Sequence, residues 1–365
     1  MFFYLGENCS LLNKQSENLF IDSGWSKIDD VYYKGYCLDY DIHSNIDKII
    51  NGDNLQGIYC AIKGNELFHS HVRTFPLYQQ GSSFTNLKLE NYTSVDNNNY
   101  EVPIAEKSFD VVVKELTNII ANNLCKVELN IWCTGGIDST MLIAIAEFAK
   151  LNYTIHIAKP NNDVTDLRIR EGTVESYQSD LLDFCRKTYW AYGLLSVFDS
   201  KIITTGFYGD NYFCRTVWQI KMLLNALNLP LHKTVNPDHY IFRYMFKNIQ
   251  KTPHLQFNDA STNLDNVKSK TIALCSGPQV WHFDNTITFC PLLDERIANT
   301  VWSLDVKTLL DSALDATIQK EIIRQTKPDV LLLLDKHKNA KEGRKNFFDN
   351  IEKVKLPYCN DIVVH

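Results

Sequence analysis

The sequence lacks an excess of positive charge. Among its 365 residues, 37 are lysine or arginine and 43 are aspartate or glutamate, so the formal net charge is −6. This acidic balance disfavours a surface that coats nucleic acid, although a local basic patch is compatible with it. Hydrophobic residues make up 45% and charged residues 22%, as in ordinary soluble globular proteins. The length is sufficient for two domains.

Paired cysteines and long apolar runs are also missing. The ten cysteines are scattered and no Cys-x-x-Cys pair occurs, so neither a zinc site nor a disulfide framework is predicted. No apolar stretch approaches the roughly 20 residues needed to span a bilayer. The first residues, MFFYLGENCS, do not place a basic region before a long apolar run, which is the mark of a signal peptide. We therefore expect reduced, mostly buried thiols in a cytoplasmic protein.

The first 100 residues favour a β-rich domain. Short segments rich in β-branched and aromatic residues predict strands over 2–5, 31–36, 57–63 and 66–72. Gly64 and Asn65 separate the last two segments as a tight hairpin. The sequence then becomes polar over 79–107, which indicates an irregular edge and a linker. We place a domain boundary near residue 100.

Residues 101–365 predict an α/β domain with a helical C-terminal part. A helix is expected from Phe109, with Val112, Leu116, Ile119, Ile120 and Leu124 on one face, followed by a buried strand within 127–133. Further strands are predicted over 153–158 and 201–204, and helices over 173–192, 213–228, 239–250, 294–303 and 313–326. Alternating strands and helices predict a parallel sheet covered on both faces. Ligands of such sheets bind at the carboxyl ends of the strands.

The most informative segment is the turn from Thr134 to Ser139. It joins the buried strand to a predicted helix, and no Gly-Lys-Ser/Thr follows, so it is not a Walker loop. A glycine turn at a helix N-terminus suits phosphate, because backbone N–H groups and the helix dipole face the ligand. Asp138 places a negative side chain where a negatively charged phosphate would bind. A Mg²⁺ ion between the carboxylate and the phosphates would explain this arrangement. The alternative is an ordinary turn in which Asp138 or Ser139 caps the helix.

This turn resembles the pyrophosphatase loop, or PP-loop, of enzymes that split ATP into AMP and pyrophosphate. Their pattern is Ser-Gly-Gly-x-Asp-Ser, which Thr134–Ser139 matches with Thr for the first Ser. Three other segments are similar to asparagine synthetases, in the same order along the chain. The first, Gly57–Ile62 together with Arg73–Tyr78, looks like their glutaminase domain. The second, Thr205–Phe213, resembles their motif Thr-Gly-Glu-Gly-Ala-Asp-Glu-Leu-Phe. The third, Cys290–Asp294, is similar to their motif Val-Pro-Phe-Leu-Asp. The chain thus resembles a compact, divergent member of the asparagine synthetase and β-lactam synthetase superfamily.

The resemblance implies ATP and Mg²⁺ as cofactors and assigns roles to particular residues. The implied nucleotide-binding residues are Thr134, Gly135, Gly136, Asp138, Ser139 and Gly206. Asp138 and Asp210 would hold the ion. Lys336 and Lys338 lie where the family carries a lysine that neutralises the leaving charge, and Tyr208 would take part in activating the amine. The alternatives are an N-cap role for each aspartate, a solvated face for the lysines and simple packing for Tyr208.

The chain also departs from the family pattern. Glutamine-hydrolysing members need a cysteine directly after the initiator Met, and this sequence has Phe2 there. The 1–100 domain is therefore expected to be a truncated, glutaminase-like (Ntn-type) scaffold without glutaminase activity. The family's acidic residue after Thr-Gly falls on Phe207, and its Glu-x-Arg falls on Ile287 and Phe289. These losses argue against ordinary aspartate amidation.

The implied reaction is AMP-forming amide ligation, in which a carboxylic acid is adenylated and then transferred to ammonia or an amine. The expected partners are these small molecules, with neither membrane nor nucleic acid, and a homodimer is left open. Two other classes are compatible with the sequence. One is a PP-loop enzyme that modifies a nucleobase or tRNA, and the other is a catalytically silent relative that binds nucleotide.

Overall fold

The computed structural model of the protein describes residues 3–5, 19–21, 25–37, 45–53, 55, 57–70, 77–85, 93–94, 105–157, 202–230, 287–334 and 340–364. Among these residues the N-terminal part forms two antiparallel sheets and the remainder is built on one parallel sheet. The fold is therefore mixed α/β. No helix in the described ranges is long and apolar enough to cross a membrane.

The N-terminal part consists of nine short strands and one short helix. The strands are β1 (Phe3–Leu5), β2 (Leu19–Ile21), β3 (Ser26–Ile28), β4 (Val31–Cys37), β5 (Gly57–Lys63), β6 (Glu66–His69), β7 (Tyr78–Gln80), β8 (Ser83–Thr85) and β9 (Thr93–Ser94), and α1 spans Ile46–Ile50. One sheet has the order β2-β1-β8-β7-β9 and the other β3-β4-β5-β6. Lys63 pairs with Glu66 across the turn between β5 and β6, which confirms the hairpin predicted at Gly64 and Asn65.

The rest of the described chain alternates between helices and strands. In chain order the elements are α2 (Phe109–Leu124), β10 (Leu129–Cys133), α3 (Ile137–Phe148), β11 (Tyr153–Ile157), β12 (Ile202–Thr204), α4 (Gly209–Tyr212), α5 (Val217–Ala226), β13 (Ile287–Phe289), α6 (Glu295–Trp302), α7 (Val306–Asp315), α8 (Thr317–Thr326), a 3₁₀ helix (Pro328–Leu333), α9 (Ala340–Asn350), a second 3₁₀ helix (Ile351–Lys353) and β14 (Cys359–Val364).

The parallel sheet has five strands in the order β13-β12-β10-β11-β14. Ile131 of β10 pairs with Thr204 of β12, and Cys133 pairs with Ile157 of β11. Because all five strands run in the same direction, the segments that follow β10 and β12 leave the sheet at one edge. The sheet therefore brings the turn after Cys133 next to the segment after Thr204.

Helix α3 contacts the central strand β10, and α2 packs against α3. The predicted apolar face of α2 is buried, with Val112, Leu116, Ile120 and Leu124 in the main core. Helix α3 is buried along residues 139–147 because α8 and α2 pack against it while it also contacts β10. The first turn of α3 is thus held in a fixed position at the carboxyl end of β10.

The two parts of the chain meet at the end of β13. The hydroxyl of Tyr36 in β4 accepts a hydrogen bond of 2.9 Å from the backbone N–H of Cys290. The ring of Tyr36 packs edge-on against Phe289, with 5.1 Å between ring centroids. Burial and the nearby Cys290 raise the pKa of Tyr36 well above its ordinary value, so its hydroxyl stays protonated. The N-terminal part is therefore anchored one strand away from β12.

Several predictions for the C-terminal half need correction. The helix predicted over 313–326 is two helices, because Ala316 has a left-handed backbone (φ 54°) and the Ser312 hydroxyl accepts from the N–H of Ile318. The region after 210 also contains strands β13 and β14, whose short segments resemble the apolar turns of neighbouring helices. Arg344 lies between Lys341 and Lys345, a basic cluster that the sequence predicts at the surface, but its side chain is buried on α9. The helices predicted over 173–192 and 239–250 lie outside the described residues.

Candidate functional site

The turn after β10 is tied together by its two hydroxyl side chains. The N–H of Thr134 donates to the Ser139 hydroxyl (3.3 Å), and the N–H of Gly136 donates to the Thr134 hydroxyl (3.3 Å). The Ser139 hydroxyl in turn donates to the carbonyl of Gly136 (3.1 Å). Gly135 has a φ of 72°, a conformation that glycine adopts without strain. The turn is therefore rigid, while Gly136 stays exposed at the start of α3.

Asp138 does not cap helix α3. The N-cap residue is Gly136 and it makes no side-chain capping bond, so the N-cap alternative for Asp138 is wrong. Its carboxylate instead faces across to helix α8, where Oδ1 accepts a 3.3 Å hydrogen bond from the side-chain nitrogen of Gln319. The hydrogen bond of the Asp138 carboxylate is thus to another helix and not to the start of its own.

The segment after β12 presses two glycines against Asp138. A Cβ atom on Gly206 would lie 3.0 Å from both the Cβ of Asp138 and the N of Ser139. A Cβ atom on Gly209 would lie 2.5 and 2.6 Å from the two carboxylate oxygens of Asp138, and closer still to its Cγ. A Cβ atom on Gly209 would overlap the Asp138 carboxylate unless that side chain moved, and one on Gly206 would make unusually tight contacts, so glycine permits the close approach at both positions. The turns after β10 and β12 therefore form one site.

Asp210 and Arg215 complete the charged part of this site. Helix α4 has Tyr208 as its N-cap residue, so the N-cap alternative for Asp210 is wrong as well. The Asp210 carboxylate is 62% exposed and lies 3.2 Å from Nη1 of Arg215, whose side chain is only 8% exposed. The backbone N–H of Arg215 also donates to the carbonyl of Asp210 (2.6 Å). A buried guanidinium thus fixes an accessible carboxylate.

The electrostatics around Asp138 favour a cation or a proton. Burial, and after it the negative charge of Asp210, raise the pKa of Asp138 from 3.8 to about 7. Arg215 and the hydrogen bond from Gln319 act in the opposite direction without cancelling the rise. Two carboxylates that repel each other are stabilised when a divalent cation binds between or beside them.

Asp138 and Asp210 fit Mg²⁺ as ligands. Mg²⁺ prefers oxygen ligands and is usually held by one or two carboxylates together with substrate phosphates and water. Across the described ranges no group of three or more His, Cys, Asp or Glu side chains is placed to hold a metal ion. Asp138 and Asp210 alone do not make up a complete metal site, so an ion bound here would need further ligands.

Two cysteines lie at the ends of these strands but are not suited to nucleophilic chemistry. Burial raises the pKa of the Cys133 thiol to about 11 and that of Cys290 to about 12. Both thiols are therefore protonated near neutral pH, and a thiol is a much weaker nucleophile than a thiolate. Cys290 makes a 3.3 Å contact with the hydroxyl of Thr205, so its role here is packing.

Tyr208 lies in the second turn but is directed into the core. Its backbone is left-handed (φ 70°), only 6% of the residue is exposed, and its ring lies 6.5 Å from that of Tyr212. Phe207 is only partly buried against the same core. This burial favours the packing alternative for Tyr208, and its role in activating an amine stays a prediction.

The structure describes only some of the remaining predicted residues. Lys336 and Lys338 lie outside the described residues. Asp294 is fully buried as the N-cap of α6, where its carboxylate accepts from Arg296 and from the side-chain amide of Asn123. The Cys290–Asp294 segment therefore serves as a structural anchor between β13 and α6.

Sequence reasoning missed Gly209, Arg215 and Gln319. The spacing of Gly206 and Gly209 was visible in the sequence, but only the approach of the two turns shows why both are glycines. No motif or spacing in the sequence pointed to Arg215 as a site residue. Gln319 interrupts a stripe formed by Ile318, Ile322 and Ile323, and a polar residue on an apolar helix face was the available clue.

Comparison of the chain with protein-family models found no match, and comparison with curated proteins found no match either.

Proposed function

We propose that this protein is an ATP-dependent ligase that releases AMP and pyrophosphate. In this proposal the parallel-sheet part is a PP-loop domain, and the N-terminal sheets are a truncated glutaminase-like domain that serves as a scaffold. The observation that carries the proposal is the contact of Gly206 and Gly209 with Asp138. It joins two glycine turns, two acidic side chains and a helix N-terminus at the carboxyl ends of adjacent parallel strands.

These groups are suited to binding a nucleoside triphosphate together with a metal ion. The start of α3 offers backbone N–H groups and the positive end of the helix dipole to phosphate oxygens. Asp138 and Asp210 would hold Mg²⁺, which when bound supplies positive charge next to the phosphates. Arg215 adds a buried guanidinium beside the same carboxylates. An acidic pair at a phosphate-binding turn has a clear purpose only if a cation is part of the complex.

The proposed reaction has two balanced steps. A substrate carboxylate oxygen attacks the α-phosphorus of ATP, the bond to the β-phosphate oxygen breaks, and pyrophosphate leaves. An amine nitrogen then attacks the acyl carbon, AMP leaves with the bonding electron pair, and the amine loses a proton. The protein contributes mainly position and charge stabilisation. Its rigid turns, fixed by Thr134 and Ser139, suit that role.

The expected nitrogen source is ammonia or an amine on the substrate, and not glutamine. A glutaminase of this kind needs its thiolate next to its own α-amino group, and Phe2 offers no nucleophile. Purified protein should release no glutamate from glutamine above background. If the protein produced glutamate and the Cys9→Ser variant did not, glutamine would be the nitrogen source after all.

The decisive experiment measures pyrophosphate release from ATP and Mg²⁺ against a panel of carboxylic acids, with and without ammonia. The wild-type protein should release pyrophosphate with at least one acid, and Asp138→Asn should keep less than about a tenth of that rate, a loss above roughly 1.4 kcal/mol of barrier stabilisation. Asp311→Asn is the matched control because Asp311 pairs with Lys307 on the exposed surface of α7. Equal rates for Asp138→Asn and wild type would reject the proposal.

A silent nucleotide-binding relative is the second candidate. It is favoured by β13, where the positions of the family's Glu-x-Arg are occupied by Ile287 and the buried Phe289. Such a protein would bind Mg²⁺ and ATP but release no pyrophosphate with any acid. Binding measured by calorimetry together with the release assay separates the two candidates.

A further inference from the structure

Gln319 is a buried polar side chain in an apolar environment. It lies in the first turn of α8, is fully buried, and has Ile318, Ile322 and Ile323 beside it on the helix. Its amide nitrogen donates to Asp138 Oδ1, whereas its amide oxygen has no hydrogen-bond partner in the described part of the chain. A buried carbonyl oxygen without a partner destabilises the folded protein, so its presence calls for an explanation.

The orientation of this amide follows from the chemistry of its neighbour. The nitrogen end of the amide faces Asp138 Oδ1, and the ionised carboxylate, which is the form that binds a cation, only accepts hydrogen bonds. The oxygen end is attached to the same carbon and is therefore held close to the site. Helix α8 packs against α3, which fixes the distance between the two residues. Gln319 thus reaches the site from an element remote in sequence, 181 residues away.

We propose that Gln319 is a positioning residue for the Mg²⁺–nucleotide complex. Its nitrogen holds the carboxylate of Asp138 in the orientation that the ion needs, and its oxygen accepts a hydrogen bond from water retained at the occupied site. The inference rests on the proposed function, because it assigns a role toward the same ligand. Groups that orient metal ligands in this way typically change metal affinity by 10–100-fold when they are removed.

The role predicts an unusual separation between stability and binding. Gln319→Met keeps the length of the side chain and removes both polar ends, including the unpaired oxygen. The loss of one hydrogen bond is then offset by the loss of a buried unpaired group, so the thermal midpoint should change little. Ile322→Val, on the same buried face, is the matched control for looser packing of α8 and should lower the thermal midpoint without affecting binding.

The test uses the full-length protein and adenosine 5′-(α,β-methylene)triphosphate, which cannot be cleaved between the α- and β-phosphorus atoms. Calorimetric titrations are made with Mg²⁺ and with EDTA. We expect Gln319→Met to weaken binding by about 10–100-fold with Mg²⁺ and by less than about twofold with EDTA. In an Asp138→Asn background the same substitution should have no further effect, because Gln319 acts through Asp138.

Each outcome decides between the two claims. If wild-type protein shows no Mg²⁺-dependent binding of the analogue, the proposed function fails and the role of Gln319 fails with it. If wild type binds but Gln319→Met binds equally well, only the role of Gln319 is overturned. Equal losses with Mg²⁺ and with EDTA would reduce Gln319 to a structural residue, as would a loss that persists at full size in Asp138→Asn.

Discussion

The contact between Gly209 and Asp138 predicts a strong non-additivity between two substitutions. In Gly209→Ala the new Cβ would meet the three terminal atoms of Asp138, namely Cγ and both carboxylate oxygens. Asp138→Ala removes those three atoms. The first substitution should therefore be harmful in the wild-type protein and harmless in the Asp138→Ala protein.

The magnitude follows from two opposing effects. The backbone φ of Gly209 lies outside the left-handed region, so alanine there is free of backbone strain and reduces the entropy of the unfolded chain, worth about 0.4–1 kcal/mol. The clash costs about 1–3 kcal/mol, because the Asp138 carboxylate escapes only by giving up its bond to Gln319. We expect a net loss of about 1–2 kcal/mol in wild type and a small gain in Asp138→Ala.

Gly206→Ala is the matched control. Its Cβ would meet the Cβ and backbone C of Asp138 and the N of Ser139, and all three atoms persist in Asp138→Ala. The costs of Gly206→Ala and Asp138→Ala should therefore add.

The assay is the urea-induced unfolding of the single and double variants in ligand-free protein. A coupling of about 1.5–3 kcal/mol is expected for the Gly209 pair and less than about 0.5 kcal/mol for the Gly206 pair. Additive effects for Gly209→Ala and Asp138→Ala would refute the arrangement of the two turns.

Two further predictions concern the same site. In the fold the pKa of Asp138 is raised from 3.8 to about 7, so its ionised form destabilises the protein above that pH, and the penalty fades as the pH falls toward the ordinary pKa. Asp138→Asn should therefore stabilise the protein by about 1–2 kcal/mol more at pH 8 than at pH 5, after allowance for solvent screening, and equal effects at both pH values would contradict the assignment. Because Tyr208 is buried, Tyr208→Phe should leave the single-turnover transfer of the acyl group to the amine within about twofold of wild type. A slowing on the order of 10²–10⁴ would instead show that its hydroxyl takes part in activating the amine.

Local patterns in the sequence were sufficient for the central elements of the fold. The apolar spacing of α2 predicted the buried face that carries Leu116 and Ile120, and the apolar run before Thr134 predicted β10. The turn after β10 was also visible, because its six residues are adjacent and their conformation depends on neighbours a few residues away. The alternation of strands and helices was enough to predict a parallel sheet and the edge at which a site would lie.

Longer-range features were beyond these patterns. The break between α7 and α8 depends on the left-handed backbone of Ala316, a residue type with strong helix propensity. The edge strand β14 pairs with β11, which lies about two hundred residues earlier in the chain. The alternation of apolar and polar residues within β14 therefore does not predict this pairing. Likewise, Arg344 is buried by the packing of α9, although its neighbours Lys341 and Lys345 made the segment look like a solvated face.

The sequence by itself determined that Asp138 lies just after a glycine turn, at the start of a helix, since residue order alone places it there. Only the tertiary structure decided what surrounds its carboxylate. Gly209 reaches it because β12 lies beside β10 in the sheet, and Gln319 reaches it because α8 packs against α3. Burial and the charge of Asp210 then raise its pKa, and both depend on distances between segments that are far apart in the chain. The periodicity of a sequence reports which residues share a face, whereas the partner of that face is set by the packing of the whole domain.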